Sequence, residues 1–166
     1  MNWLGEIIQR YIRNSDTVLD LGCGIMQATD GLKCKNILGC DIWMSYLYHI
    51  CDKFMTIQIG MNELQRFPNN SYDVVLCLDV IEHLHESTTL EAINEMKRIA
   101  RRRVIIYTPN KFETNENAIE NSWGLGKCEY QRHVCLFDEE RLRGLGFYVR
   151  NDNEDGGNLA IFGKAT

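Results

Sequence analysis

The stretch VLDLGCGIMQATDGL, residues 18–32, decides the fold expected of this chain. Its first residues complete a buried strand, Thr17–Leu21, which runs into closely spaced glycines and then into a segment with helical spacing, Gln27–Leu32. Many α/β folds approach a nucleotide through such a strand, turn and helix. The stretch therefore predicts a parallel sheet with a nucleotide-type ligand at the carboxyl end of this strand.

Apolar runs and helical patterns alternate along the rest of the chain. The final runs, FYVR and LAIFG, flank a turn-rich segment and are typical of two antiparallel strands. This rhythm predicts an α/β fold, a Rossmann-like three-layer sandwich in which 1–166 is a single domain. We expect a mostly parallel seven-stranded sheet with an antiparallel C-terminal strand and helices on both faces. The other expected elements are helices over 3–12 and 45–51, and strands over 36–40, 54–59, 72–80 and 102–109.

Two later segments have residue patterns typical of a helix N-terminus. Thr88 and Glu91 have the spacing of a capping box, and Asp138 is a suitable N-cap, with Phe137 and Leu142 spaced as a hydrophobic staple. The expected buried stripe of the first of these helices consists of Leu90, Ile93, Met96, Ile99 and Ala100.

The bulk composition excludes several classes of protein. At 166 residues, 45% hydrophobic and 25% charged, the chain has the make-up of an ordinary globular protein. A net charge of −5 argues against coating nucleic acid or an anionic membrane, and the basic run Lys97–Arg103 is interpreted as a solvated helix end. The apolar runs are strand-length, and the start lacks a signal-peptide pattern. Seven cysteines without a Cys-x-x-Cys pair favour a reduced cytoplasm.

The glycine turn departs from the patterns that bind phosphate. A dinucleotide-binding turn has a third glycine where Gln27 stands, and no Gly-Lys-Ser/Thr sequence occurs in the chain. Asp20 instead lies two residues before Gly22. A carboxylate there repels phosphate but suits a ligand that carries an ammonium or sulfonium group.

The sequence DLGCG, residues 20–24, resembles the first motif of the class I S-adenosylmethionine-dependent methyltransferases. Asp41, after the second strand, is similar to the family's acid that binds the ribose hydroxyls. FPNNSYDVVLCLDVIEHL (67–84), TPN (108–110) and QRHVCLFDEERLRGLGF (131–147) resemble the family's small-molecule branch, methyltransferase types 11 and 23. The resemblance implies the cofactor S-adenosyl-L-methionine and these cofactor-binding residues: Asp20, Gly22, Cys23, Gly24, Asp41, Ile42, Asn62, Leu78 and His83.

Two positions differ from the family pattern. Met26 stands where many members have a third glycine, so we expect the space around the cofactor's methionine end to be narrower. The family's acid for the adenine amino group falls near Met61, so we expect Asn62 and stacking from Ile42 to replace it. Because Asp41 ends a strand, we expect Asp41→Ala to weaken cofactor binding and to change fold stability little.

The acceptor side is expected in the loop from Lys111 to Phe137, whose aromatic and polar side chains suit a small molecule. His133 is the candidate catalytic base for an acceptor hydroxyl, whereas His83 has either a structural or a catalytic role. Cys128, His133 and Cys135 supply three ligands without the paired spacing of zinc sites, so no metal is implied.

The predicted function is methyl transfer to a small-molecule or glycan/lipid-linked acceptor, at oxygen, by an enzyme that needs neither nucleic acid nor membrane. The fourth strand does not end in the Asp/Asn-Pro-Pro-Tyr/Phe sequence of many nitrogen methylases. Two alternatives stay open: a cofactor-binding, non-catalytic partner subunit within an oligomer or complex, and an RNA or protein methyltransferase.

Overall fold

The computed structural model describes residues 2–112, 123–152 and 156–164 and is built on one seven-stranded sheet. The strand order is β3-β2-β1-β4-β5-β7-β6. The first five strands of this order are parallel, and β7 runs antiparallel to β5 and β6. The predicted fold class is therefore confirmed. The strands are β1 Thr17–Leu21, β2 Asn36–Asp41, β3 Met55–Gln58, β4 Tyr72–Leu78, β5 Ala100–Pro109, β6 Tyr148–Asp152 and β7 Gly157–Gly163.

Helices cover both faces of the sheet. Leu4 and Ile8 of α1 pack on Val18, Val74 and Ile105, while α3 packs on the opposite face. No helix in the described ranges is long and apolar enough to cross a membrane. The α-helices are α1 Trp3–Gln9, α2 Met44–Ile50, α3 Glu86–Ile99 and α4 Glu139–Gly144, and 3₁₀ turns lie at Met61–Arg66, Ile81–His83 and Glu129–Gln131.

The helix expected at Gln27–Leu32 is wrong, because this segment folds as successive turns. Met26 and Gly31 both have positive φ, 57° and 91°, which interrupts right-handed helical winding. The Thr29 hydroxyl donates to a carboxylate oxygen of Asp20 at 2.8 Å, so the segment is held against the end of β1.

Of the two predicted helix N-termini, one is wrong and the other is confirmed. The capping box at Thr88 is wrong: α3 begins at Glu86 after the N-cap His85, and Leu90 of the expected stripe is 37% exposed. For α4 the prediction is confirmed, since the Asp138 side chain accepts from the Arg141 N–H at 2.9 Å. Phe137 and Leu142, the expected staple, are fully buried.

The parallel strands bring their carboxyl ends to one edge of the sheet. Leu21 of β1 is in register with Cys40 of β2 and Cys77 of β4. The strand order reverses between β1 and β4, and ligands of open α/β sheets bind at such a point. The residues that follow these strands therefore surround one cleft.

Candidate functional site

Two adjoining cavities occupy this edge of the sheet. The larger has a volume of about 400 Å³ and extends toward α1. The smaller, of about 310 Å³, extends toward β3. Residues that line both cavities are Gly22, Asp41, Tyr46, Asp79, His83 and Gln131. A single elongated ligand can therefore occupy both cavities.

Asp20 is the buried acid of the larger cavity. Burial raises the pKa of its carboxyl to about 7; the charge of Asp41 adds to this effect, and the hydrogen bond from Thr29 opposes it. Burial thus favours the neutral form of this carboxyl more than in an exposed aspartate. A cationic group placed beside it would favour the ionised form.

Gly22 and Gly24 both have positive φ, 70° and 53°. A Cβ at Gly22 would overlap the side chain of Val80, and one at Gly24 would lie 2.9 Å from the ring of Trp123. The N–H groups of Gly22 and Cys23 donate to the carbonyl of Cys40 at 2.7 and 2.9 Å. Glycine is therefore required for both the backbone conformation and the close packing of this turn.

Met26 does not narrow the cavity, so that expectation is wrong. Its side chain is 1% exposed and packs in a core cluster with Cys23, Leu47 and Ile50, away from both cavities. Met26 adopts a left-handed backbone conformation, and its long, flexible side chain fills this cluster beside Gly39.

Asp41 is buried and ties two loops together. Its carboxylate accepts from the Gly24 N–H at 2.9 Å and from the Trp43 N–H at 2.8 Å. Burial raises the pKa of this carboxyl, and these N–H groups oppose the shift. The premise that Asp41 lies outside the core is wrong, since it is 7% exposed. We therefore expect Asp41→Ala to lower fold stability as well, because it leaves two backbone donors unpaired.

The smaller cavity combines apolar and amide groups. Ile42 is 41% exposed toward it, and Met61, Asn62 and Tyr130 also line it. The ring of Tyr130 packs edge-on against Trp43, with centroids 6.1 Å apart. These groups provide flat apolar contact and one amide, a combination that suits a purine ring.

Glu82, His83 and His133 meet beside the larger cavity. The rings of His83 and His133 have centroids 5.0 Å apart, and His83 Nε2 lies 4.0 Å from Glu82 Oε1. The carbonyl of Glu82 accepts from the N–H groups of Val134 and Cys135 at 2.7 and 3.2 Å, which fixes the loop that carries His133.

The site is strongly acidic. Burial, with the nearby charge of Asp79, raises the pKa of Glu82 to about 8, and burial raises the pKa of Asp79 to about 6. Burial also lowers the pKa of His83. Among the residues that the structure describes, neither lysine nor arginine lines either cavity. The lack of such a basic side chain disfavours a phosphate ligand, whereas a bound cation would favour the ionised form of these carboxyls.

Every sequence-predicted site residue lies on this cleft. Asp20, Cys23, Gly24, Leu78 and His133 line the larger cavity and Ile42 and Asn62 the smaller, while Gly22, Asp41 and His83 line both. Sequence reasoning gave no individual role to Thr29, Tyr46, Asp79 and Glu82, although Asp79 and Glu82 stand inside a quoted motif. Gln131 belongs to the polar side chains expected on the acceptor side. Tyr46 is part of a helical apolar pattern and gave no separate signal.

An acidic two-part cleft at the switch point of a Rossmann-like sheet is suited to a nucleoside ligand that carries positive charge. Residues 19–108 match the model of the family described as Methyltransferase domain. The chain belongs to this family of methyltransferase domains. The donor set agrees with a sulfonium cofactor, since four carboxyl groups surround the cleft: Asp20, Asp41, Asp79 and Glu82.

Solved structures of low sequence identity share the fold. A SAM-dependent methyltransferase from Archaeoglobus fulgidus has a TM-score of 0.70 and 16% identity over 97% of this chain and 93% of that chain. Magnesium protoporphyrin IX methyltransferase from Synechocystis PCC 6803, solved with bound SAH, has a TM-score of 0.68 and 16% identity over 97% of this chain and 82% of that chain.

One relative in sequence is a longer protein than this chain. Uncharacterized protein MJ0638 of Methanocaldococcus jannaschii is 32% identical over 120 residues, which are 70% of this chain and 52% of that protein. The chain thus spans about half the length of the relative that it matches.

Proposed function

We propose that this methyltransferase transfers the methyl group to a hydroxyl oxygen of a small-molecule or glycan/lipid-linked acceptor. The observation that carries the proposal is the pair of imidazoles, His83 and His133, 5.0 Å apart beside the larger cavity. An imidazole next to an acceptor is the usual group for removing a hydroxyl proton.

Binding of the cofactor is divided between the two cavities. S-adenosylmethionine supplies an activated methyl group on a sulfonium. Asp20 would hold the ammonium group of its methionine part, and Asp41, shared by both cavities, would accept hydrogen bonds from the ribose hydroxyls. Ile42 and Asn62 would contact the adenine in the smaller cavity, while Gly22, Cys23 and Gly24 would form the floor of the site. Leu78 and His83 would bound it on the β4 side.

The acceptor would enter beside the loop of 111–137, of which residues 113–122 lie outside the described ranges. Trp123 packs edge-on against Tyr46, with centroids 5.0 Å apart, and covers Gly24. His133 follows in the same loop and is the base that we propose for the hydroxyl proton. This arrangement supports a small acceptor beside Trp123 and His133.

Cofactor binding should stabilise the fold. At a hundred times its dissociation constant, S-adenosylmethionine is expected to add about 2.7 kcal/mol to the free energy of unfolding, which raises Tm by about 5–10 °C. Its demethylated product should do the same, whereas NAD and ATP, which carry phosphates, should not. Differential scanning calorimetry measures this directly. Equal stabilisation by ATP would contradict the placement of Asp20 beside a cationic group.

Cofactor affinity should depend on pH through Asp20. A cationic ligand binds the ionised carboxylate, and below a pKa of about 7 that carboxyl must first lose a proton. The affinity for the cofactor therefore falls as pH decreases, by about tenfold between pH 8 and pH 6. Isothermal titration calorimetry at several pH values measures the slope. Asp20→Asn keeps the shape and should bind weakly with a flatter profile; an equally steep profile in that variant would contradict this role.

The other possible functions have less support. Three arginines of the basic run are paired with acids: Arg98 with Glu95, Arg101 with Asp73 and Arg102 with Asp16. This pairing argues against RNA as the acceptor. Salt-sensitive RNA binding would favour it. A non-catalytic partner subunit would bind cofactor but transfer no methyl group to any acceptor without its partner. All seven cysteines are free, which supports the cytoplasm as the location.

The experiment that tests the proposal is a transfer assay with labelled cofactor. Hydroxylated small molecules and glycolipids form one arm, and RNA and protein form the others. Label in the hydroxylated arm is the expected result, and methyl ether formation by mass spectrometry identifies the atom. Label found only in RNA or protein would overturn the proposed acceptor class.

A further inference from the structure

Three potential metal ligands converge at the cofactor cleft. Glu82, His83 and His133 each offer one ligand atom, and these atoms lie within 4.8 Å of one another. The sequence indicated no metal because His133 is fifty residues from the Glu82-His83 pair, and only the fold brings them together. Cys135, considered at the sequence level, instead donates to the carbonyl of Ile81 at 3.3 Å.

Of the two carboxylate oxygens of Glu82, one accepts a hydrogen bond and the other has no hydrogen-bond partner. Glu82 is 2% exposed. Its Oε2 accepts from the hydroxyl of Thr108 at 3.0 Å, whereas Oε1 is buried without a hydrogen-bond partner. A buried carboxylate oxygen without a partner carries a large desolvation cost. A bound cation facing His83 would remove that cost.

His83 is oriented as metal-binding histidines are. Its Nδ1 lies 3.1 Å from the carbonyl oxygen of Arg132, which assigns the proton to Nδ1 and leaves the lone pair on Nε2. Nε2 is the atom 4.0 Å from Glu82 Oε1. Ligating histidines generally donate their other ring N–H to a carbonyl or carboxylate in this way.

We propose that Glu82, His83 and His133 bind a divalent first-row transition-metal cation whose open coordination positions face the acceptor. Two imidazoles and one carboxylate form a ligand set suited to zinc, iron or cobalt, whereas Mg²⁺ prefers oxygen ligands. Ligand distances of about 2.0–2.2 Å require the three atoms to approach one another to about 3.3 Å. Rotation of the side chains supplies this movement.

This inference rests on the proposed function and refines the role of His133. A hydroxyl that coordinates the cation has a lowered pKa and releases its proton to water. The acceptor oxygen then forms its bond to the methyl carbon while the S–CH₃ bond breaks and its electron pair stays on sulfur. With the cation present, His133 acts as its ligand and not as the acceptor of the proton.

The test uses the whole chain, stripped with EDTA and titrated with CoCl₂ in the absence of cofactor and acceptor. We expect one Co²⁺ per chain, a visible absorption band, and displacement by Zn²⁺ but not by Mg²⁺. Glu82→Gln and His83→Ala should each weaken Co²⁺ binding by more than about 100-fold, and Thr108→Val by about 10–100-fold. The matched control is His85→Ala, an exposed histidine outside the cluster, which should bind Co²⁺ normally.

Absence of Co²⁺ binding, or equal binding by Glu82→Gln and His83→Ala variants that are folded by circular dichroism, would overturn the proposal. So would undiminished methyl transfer by protein stripped of cation, a result that leaves the proposed function standing. Failure to methylate any hydroxylated acceptor with the Co²⁺ site intact would instead overturn the proposed function alone.

Discussion

His133→Ala is expected to lower the turnover number for a hydroxylated acceptor by about 10²–10⁴-fold, the usual contribution of a positioned base. Affinity for S-adenosylmethionine should stay unchanged, because His133 does not line the smaller cavity, where the adenine is proposed to bind. The loss should shrink at high pH, where the hydroxyl ionises without help. Steady-state kinetics across pH, with cofactor affinity from calorimetry, measures both effects.

His85→Ala is the matched control and should keep full turnover. Two roles of His133 are separable in the same assay. If His133 takes the proton itself, wild-type protein stripped with EDTA keeps its turnover. If His133 is a cation ligand, the stripped wild-type protein loses its turnover and regains it when Zn²⁺ or Co²⁺ is added. An unchanged rate and pH profile in His133→Ala would contradict both roles.

The alternation of strands and helices is predictable from sequence because each element follows from a local period. β1, β4 and β5 each contain a short apolar run, and α4 has its cap and staple within six residues. Errors fall where a local signal competes with tertiary contacts. Gln27–Leu32 has helical spacing, but the positive φ of Met26 and the bond from Thr29 to Asp20 override it.

The cofactor side of the cleft was predictable because its residues stand at fixed offsets from strand ends. Gly22 follows β1, Asp41 is the last residue of β2 and Asn62 follows β3, so a pattern can locate them. Contacts across the fold leave no such pattern. The meeting of Glu82 with His133, and the burial of Cys128 beside Tyr46, depend on how the long loop returns to the sheet.

The basic run Lys97–Arg103 illustrates the same limit. Lys97 and Arg98 do end α3, as a solvated helix end would. Arg101 and Arg102 belong to β5, which was predicted to begin at 102, but the burial of Arg102 in an ion pair with Asp16 was not predicted. Helical periodicity cannot show this pairing, because Asp16 is 86 residues earlier in the chain.

Arg102→Met is expected to lower the free energy of unfolding by about 3–5 kcal/mol, since removal of one partner leaves a buried charge uncompensated. The Arg102 and Asp16 side chains are only 11% and 5% exposed. Arg101→Met is the matched control: its pair with Asp73 is half-exposed on the arginine side and should cost at most about 1 kcal/mol. Urea denaturation at low temperature measures both values.

The double variant Arg102→Met with Asp16→Asn should recover most of that loss, because no buried charge then remains. The amide oxygen that Asp16→Asn introduces can still accept from the Arg13 N–H, as the Asp16 carboxylate does at 2.7 Å. Cofactor affinity per folded molecule should be the same in all of these variants, since the pair lies at the amino edge of the sheet, opposite the cleft. Equal losses of unfolding free energy for Arg101→Met and Arg102→Met would mean that burial does not set the strength of these pairs. A loss of cofactor binding in folded Arg102→Met would mean that the two edges of the sheet are coupled.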